Sequence, residues 1–303
     1  MMKITEFQQK ITGLFPKMDV RFNESMANHT SFRIGGPAEV VILPKNREEL
    51  GEILQKLQEI GVTPRILGAG TNVLAPDDGI QGVVLILKEN FGGVELLDET
   101  HLQVSAGITM TRAAVFAATK NLSGMEFAHG IPGTVGGGVY MNAGAYGGEI
   151  KDICESVDVM FMDGAIVTIP AEEMHFGYRH SRLEEEDGIV LSAVFRLTPK
   201  PEAEIRSYMQ ELMTKRKTSQ PLDLPSAGSA FKRPVGGYAA ALIDQAGLKG
   251  YRVGGAAVSE KHAGFAVNLG GATAEDVKKL LKQVSDIVFE KSGIRLEPEV
   301  RIW

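Results

Sequence analysis

The chain has 303 residues, 44% of them hydrophobic and 23% charged, with a formal net charge of −6 at pH 7. That length buries a large core and implies two domains, while the acidic balance argues against the concentrated basic surface that nucleic-acid binding needs. One cysteine, Cys154, rules out an internal disulfide and any multi-cysteine zinc or iron–sulfur site; the six histidines show no ligand spacing, so no metal is expected.

Residues 1–17 are interrupted by Lys3, Glu6 and Lys10, so they lack the apolar core of a signal peptide. No apolar run approaches the roughly 20 residues of a membrane span, and a cytoplasmic protein without membrane insertion is expected. Asn46, with Glu49 three positions later, opens a helix along which Leu50, Ile53, Leu54, Leu57 and Ile60 recur at helical spacing until Gly61. Strands are predicted at 65–67 and 83–87, and a helix with a compact Ala113, Ala114, Phe116 and Ala117 face over 109–122. Residues 156–162 and 165–169, joined by Asp163-Gly164, read as a hairpin, and 189–197 as a further strand. Pro199 and Pro201 mark a boundary before a helix over 202–216. A short helix over 238–247 and a strand at 265–269 follow. Thr273 caps a long helix over 274–292 that ends at Gly293, and residues 296–302 close as a strand. The alternation gives an α+β arrangement with no internal repeat. Domains are expected at 1–198, with a split near 90, and at 199–303.

Two glycine-rich segments stand out. Eight glycines fall between Gly130 and Gly148, in a stretch punctuated by Ile131, Pro132, Thr134, Tyr140, Asn142 and Tyr146. Such a run lets the backbone take positive φ and approach a ligand, and its amides can form a concave anion site. An irregular turn inside a sheet is the plainer reading. The second segment, Gly68-Ala69-Gly70-Thr71-Asn72, follows the strand at 65–67 directly. It is not the Gly-x-Gly-x-x-Gly dinucleotide fingerprint, because Val73 stands at the sixth position. Two such loops favour a ligand carrying two phosphates.

Three further segments could carry chemistry. Tyr178-Arg179-His180-Ser181 offers an arginine that either pairs with the acidic run Glu184 to Asp187 or fixes a carboxylate through two N–H groups. Pro225-Ser226-Ala227-Gly228-Ser229-Ala230-Phe231-Lys232-Arg233 combines hydroxyls with cations but contains no Gly-x-Ser-x-Gly elbow, so a hydrolase nucleophile is poorly supported. In Glu297-Pro298-Glu299-Val300-Arg301, strand alternation puts Glu297, Glu299 and Arg301 on one face, as solubilising edge charges or as site residues.

Taken in order from about Asn28, these segments resemble the UDP-N-acetylenolpyruvoylglucosamine reductases, flavoenzymes of bacterial peptidoglycan synthesis. Thr30-Ser31-Phe32-Arg33-Ile34-Gly35-Gly36, Gly68 to Asn72, Gly130-Ile131-Pro132-Gly133 and Asn142-Ala143-Gly144-Ala145-Tyr146-Gly147 carry the resemblance. Those four also occur loosely across the wider vanillyl-alcohol oxidase type of FAD-binding fold. The segments at 178–181, 225–229 and 296–301 are more specific to the reductases.

The resemblance implies an α+β FAD-binding unit of two subdomains with a smaller C-terminal α+β substrate-binding domain. It implies noncovalent FAD, NADPH as hydride donor and a UDP-sugar substrate, and leaves the oligomeric state open. Flavin contacts are expected from Gly68, Ala69, Gly70, Thr71, Asn72, Gly130, Ile131, Gly133, Thr134, Gly136, Asn142, Ala143 and Gly144, with His129 a neighbour at most. Arg179 matches the catalytic arginine, Ser229 the proton-donating serine and Glu299 the catalytic glutamate. Glu299 would orient a substrate carboxylate, which requires that it carry a proton or sit beside a cation. The few residues between Arg179 and the strand at 189 leave no room for the tyrosine loop of the family's longer type. Tyr178, Lys217, Lys232 and Arg233 are therefore the candidates for the UDP moiety.

Overall fold

In the computed structural model, which describes residues 5–303, Thr5 and Gln8 form a reciprocal capping box at the start of helix α1 (Glu6–Leu14). Helix α2 (Arg47–Glu59) begins where the sequence indicates, with Asn46 Oδ1 accepting from the Glu49 amide at 2.8 Å. Its buried Leu50, Ile53, Leu54 and Leu57 each contribute roughly 1.5–3 kcal/mol of burial. The helix links strands of a mixed sheet ordered Asp19–Ser25, Pro37–Leu43, Ile80–Ile86, Arg65–Leu67, the last two parallel. The strand expected at 83–87 thus starts earlier, at Ile80.

A second sheet, antiparallel throughout, is ordered Ile166–Pro170, Cys154–Phe161, Gly188–Arg196, His101–Ser105, Val94–Leu96. Its hairpin forms, but with a different turn from the expected Asp163-Gly164 pair. The Phe161 amide donates to Ala165 O at 2.8 Å, the Gly164 amide donates back to Phe161 O at 2.9 Å, and only Gly164 takes positive φ, at 86°. This is a three-residue loop closed by a left-handed glycine, and Asp163 Oδ1 satisfies the Ala165 amide at 2.9 Å.

Helix α3 (Met110–Thr119) is shorter than expected: Thr109 is its cap, and Leu122 lies in a separate short strand. Its small buried face lets α4 (Val135–Tyr140) come close. A Cβ on Gly136 would sit 2.8 Å from Ala106 Cβ, and one on Gly138 would sit 2.8 Å from Met110 Sδ. Helix α5 (Glu202–Ser219) runs three residues past the expected end at 216 and stops before Pro221.

Beyond α5, strands Ser226–Ser229, Phe265–Asn268, Ala256–Val258 and Arg252–Val253 form an antiparallel sheet in that order. Helix α6 (Ala239–Gln245) and helix α7 (Ala274–Ser292) pack with it through Ile243, Val277, Leu280, Leu281, Val284 and Val288. The first amides of α7 are all accounted for. Asp77 accepts from Ala274 and Glu275 at 2.7 and 3.1 Å, Thr273 Oγ1 from Asp276 at 3.0 Å, and the Thr273 carbonyl from Val277 at 3.2 Å.

The closing strand expected over 296–302 is a correction: only Arg301–Ile302 forms a strand, parallel to Val73–Leu74. Pro298 cannot donate and makes a single bridge with Phe231, so the ladder breaks there. The segment changes partners at that point. Lys232 donates to Glu297 O at 2.8 Å and Glu299 to Ala230 O at 3.0 Å, after which Arg301 donates to Asn72 O at 3.0 Å and Trp303 to Leu74 O at 3.1 Å. It is therefore clamped rather than a solvent-facing edge.

The chain divides into two units by contact. One takes the N-terminal segment to Phe22, Val40–Ala69 and Gly82–Lys215; the other takes Asn23–Glu39, Gly70–Gln81 and Arg216–Trp303. This differs from a single cut at 198. Most of α5 stays with the first unit through Ile205 and Met209, while Phe32, Ile34 and Leu74 join the core of the C-terminal segment.

Candidate functional site

In the first unit, the two glycine-rich segments touch. A Cβ on Gly68 would run into Thr134 Oγ1, the hydroxyl that caps α4 by accepting from Gly137 at 3.4 Å. Gly130 and Gly133 both take positive φ, at 88° and 136°. The Gly130 amide donates to Thr111 Oγ1 at 3.2 Å, and Gly133 O accepts from Met110 at 3.0 Å. Among the described residues the amides of Gly68, Ala69, Gly133 and Thr134 donate no hydrogen bond. Four neighbouring donors on close-packed backbone are what an anion of two phosphates requires.

The Tyr178-Arg179 dipeptide forms the centre of a tight turn. Gly177 donates to His180 O at 3.0 Å and His180 donates back to Gly177 O at 3.3 Å. Arg179 has φ +55°, the left-handed conformation that type II turns usually give to glycine. Its guanidinium donates from Nη2 to Gly144 O at 3.3 Å and lies 5.1 Å from the centroid of the Tyr178 ring. From the acidic run, Glu186 pairs with Arg182 at 2.7 Å and Glu184 with His180 at 3.5 Å. Asn142, Tyr146 and His175 in the same unit also take positive φ. Tyr146-Gly147, both left-handed, make the two-residue turn between Gly144–Ala145 and Gly148–Glu149. Strained backbone of this kind concentrates at functional sites.

Ser229 and Glu299 belong to the second unit and are brought together. Ser229 is exposed, and Ala230, the next residue, accepts the Glu299 amide. Asn72 Nδ2 donates to Glu299 O at 3.1 Å, so the Gly68 to Asn72 loop ends against the glutamate. Gly70, at φ +65°, packs on His29 O, and its carbonyl accepts from the Ser31 amide at 3.1 Å. Ser31 Oγ donates to Ser226 O at 2.6 Å. Ser31 thus ties the Gly70 loop to the strand that carries Ser229, a role that its place in a motif does not reveal.

The other candidates are placed as follows. Ile131, Gly136, Ala143 and Gly144 line the backbone path of the 130–144 segment, and Thr71 stands between Gly70 and Asn72. Asn142 is fully buried with its side chain committed to protein partners. Tyr178, Lys217, Lys232 and Arg233 are exposed. The Lys217 carbonyl accepts from Lys261 Nζ at 2.6 Å, Lys232 Nζ lies 3.6 Å from Glu297, and Arg233 stacks 4.7 Å from the Tyr238 ring centroid. Burial pushes the Cys154 thiol up to about 12, which leaves it an inert core residue. Among the described residues no cluster of three His, Cys, Asp or Glu side chains could hold a metal, and no helix is long and apolar enough to cross a membrane.

An α+β unit whose free amides at 68–69 and 133–134 suit a diphosphate belongs, by the family match over residues 38–170, to a flavin-binding class of protein. Residues 38–170 match the FAD binding domain family, and residues 220–303 match the C-terminal domain of UDP-N-acetylenolpyruvoylglucosamine reductase. The UDP-N-acetylenolpyruvoylglucosamine reductase of Agathobacter rectalis is 45% identical over 98% of each chain. That of Caldanaerobacter subterraneus subsp. tengcongensis is 45% identical over 97% of this chain and 96% of its own. The crystal structure of the Thermus caldophilus reductase superposes with a TM-score of 0.81 at 38% identity, covering 95% of this chain and 99% of that one. The chain belongs to the UDP-N-acetylenolpyruvoylglucosamine reductase family. The residues fit FAD: the Gly68 and Ala69 amides and the Gly133 and Thr134 amides suit its diphosphate, and glycine at 68 is required by the neighbouring threonine.

Proposed function

We propose that this chain is a cytoplasmic, NADPH-dependent reductase with noncovalent FAD that converts UDP-N-acetylglucosamine enolpyruvate to UDP-N-acetylmuramate in peptidoglycan precursor synthesis. Support comes above all from the Glu299 amide donating to Ala230 O, which joins the backbones of two far-apart motifs next to Ser229. FAD supplies the hydride chemistry when bound, with NADPH as co-substrate.

Reduction of the substrate's double bond at its terminal carbon drives negative charge into the adjoining carboxylate, and preorganised donors lower that barrier. Arg179 supplies a permanent cation with planar donors for that charge. Glu299 orients the carboxylate through a hydrogen bond. Ser229 delivers the proton to the adjacent carbon, a task that a weakly acidic hydroxyl performs only when held tightly and near positive charge, for which Lys232, three residues further along the chain, is the candidate. Gly68 to Asn72, Gly130 to Gly136, Ala143 and Gly144 hold the cofactor; Tyr178, Lys217, Lys232 and Arg233 meet the UDP portion.

The test uses purified protein. Acid precipitation is expected to leave all flavin in the supernatant, and NADPH consumption is expected to depend on the enolpyruvyl sugar nucleotide with UDP-N-acetylmuramate as product. Flavin retained in the pellet, or NADPH consumed with oxygen alone and no muramate formed, would favour a flavin oxidase instead.

A further inference from the structure

The side chain of Asn142 is 0% exposed and spends all its polar positions on the protein. Nδ2 donates to Glu149 Oε2 and to Gly177 O, both at 2.8 Å, and Oδ1 accepts from the Lys151 amide at 3.0 Å. Gly177 is the residue that opens the turn carrying Arg179, and Gly144, two residues after Asn142, receives the Arg179 guanidinium at 3.3 Å. The other end of the turn is fastened as well. Ser181, also 0% exposed, donates from Oγ to Tyr140 O at 2.8 Å. Both ends of a strained turn are therefore bolted to residues 140–144, the last residue of α4 and the segment just after it.

We infer that Asn142 is a positioning residue for Arg179: its carboxamide, oriented by Glu149, fixes the Gly177 carbonyl and so aims the turn that presents the guanidinium. The inference rests on the role proposed for Arg179. It changes the expected part of Asn142 from a cofactor contact to a brace, because its two amide hydrogens and its carbonyl are already used. A long arginine side chain keeps its aim only if its Cα is held. Without the brace, the turn is free to relax out of the left-handed conformation.

The experiment compares the two half-reactions of FAD-loaded protein under anaerobic conditions. In Asn142→Ala, reduction by NADPH is expected to be scarcely altered, while reoxidation by UDP-N-acetylglucosamine enolpyruvate slows by about 10- to 100-fold, the scale of a misplacement near 1 Å. In an Arg179→Ala background, adding Asn142→Ala should slow reoxidation no further, since nothing remains to be aimed. Ser181→Ala is expected to show the same pattern more mildly, and serves if Asn142→Ala does not load flavin. Equal slowing of both half-reactions, or a multiplicative loss in the double variant, would overturn the inference. Slow reoxidation in Arg179→Ala beside normal reoxidation in Asn142→Ala or, in its stead, Ser181→Ala overturns the brace alone. Unaltered reoxidation in Arg179→Ala overturns the role of Arg179 and this inference with it.

Discussion

Holding a non-glycine residue in the left-handed region costs about 1–2 kcal/mol, and Arg179 sits there at φ +55°. Arg179→Ala and Arg179→Gly remove the same side-chain contacts, but only glycine relieves the backbone. The glycine variant is expected to be the more stable of the two by about 1 kcal/mol in denaturant unfolding, with both equally slow towards substrate. Equal stabilities would show that the turn is unstrained. For Ser229, the alanine variant should keep FAD and NADPH-driven reduction while reoxidation by substrate falls by ~10²–10⁴-fold, the usual worth of a general acid. Near-normal reoxidation would remove Ser229 from the chemistry. The strain at Arg179 was not legible in the sequence, because a Tyr-Arg pair gives no signal for a left-handed turn residue. Nor was the brace at Asn142. An asparagine beside glycines suggests a ligand contact, and only the fold reveals that Gly177 lies within reach of its amide.

Elements with local determinants were read closely, and those that depend on distant partners were not. Helix α7 has its bounds from Thr273 and Gly293 because capping and apolar spacing are both local signals. The segment after Leu296 looked like one strand, yet its hydrogen bonds pass from residues 230–232 to 72–74, a change set by Pro298 and by partners far away in sequence. At the start of the strand His101–Ser105, His101 bridges Asp98 and Glu155, each at 2.8 Å. The bond to Asp98 first, then Glu155, raises the imidazole above its ordinary 6.5, and the Thr100 amide with His101 holds Asp98 well below its ordinary 3.8. A raised histidine stabilises fully below its unfolded value and ceases to do so as pH rises through its folded one; the lowered aspartate stabilises above its unfolded value and ceases to do so as pH falls. The bridge therefore works between these limits. His101→Gln is expected to lower the melting temperature more at about pH 5.5 than at about pH 9. An equal loss at both would mean that the bridge adds nothing.

At the scale of the whole chain, α+β content was legible from the alternation of helices and strands, and an FAD-binding portion with a C-terminal domain from the family resemblance that the two glycine-rich loops and three polar motifs carry. The membership of residues 23–39 and 70–81 in the second unit was not, since it comes from Phe32, Ile34 and Leu74 joining the core under α7. The central claim is that one protein takes hydride from NADPH onto FAD and passes it to an enolpyruvyl UDP-sugar. The most direct measurement is anaerobic stopped-flow absorption of the flavin, first mixed with NADPH alone and then with UDP-N-acetylglucosamine enolpyruvate. NADPH should bleach the flavin, and the sugar nucleotide should restore its colour in a single stoichiometric step that yields UDP-N-acetylmuramate. Flavin that NADPH leaves oxidised, or that stays reduced until oxygen is admitted, would contradict the account.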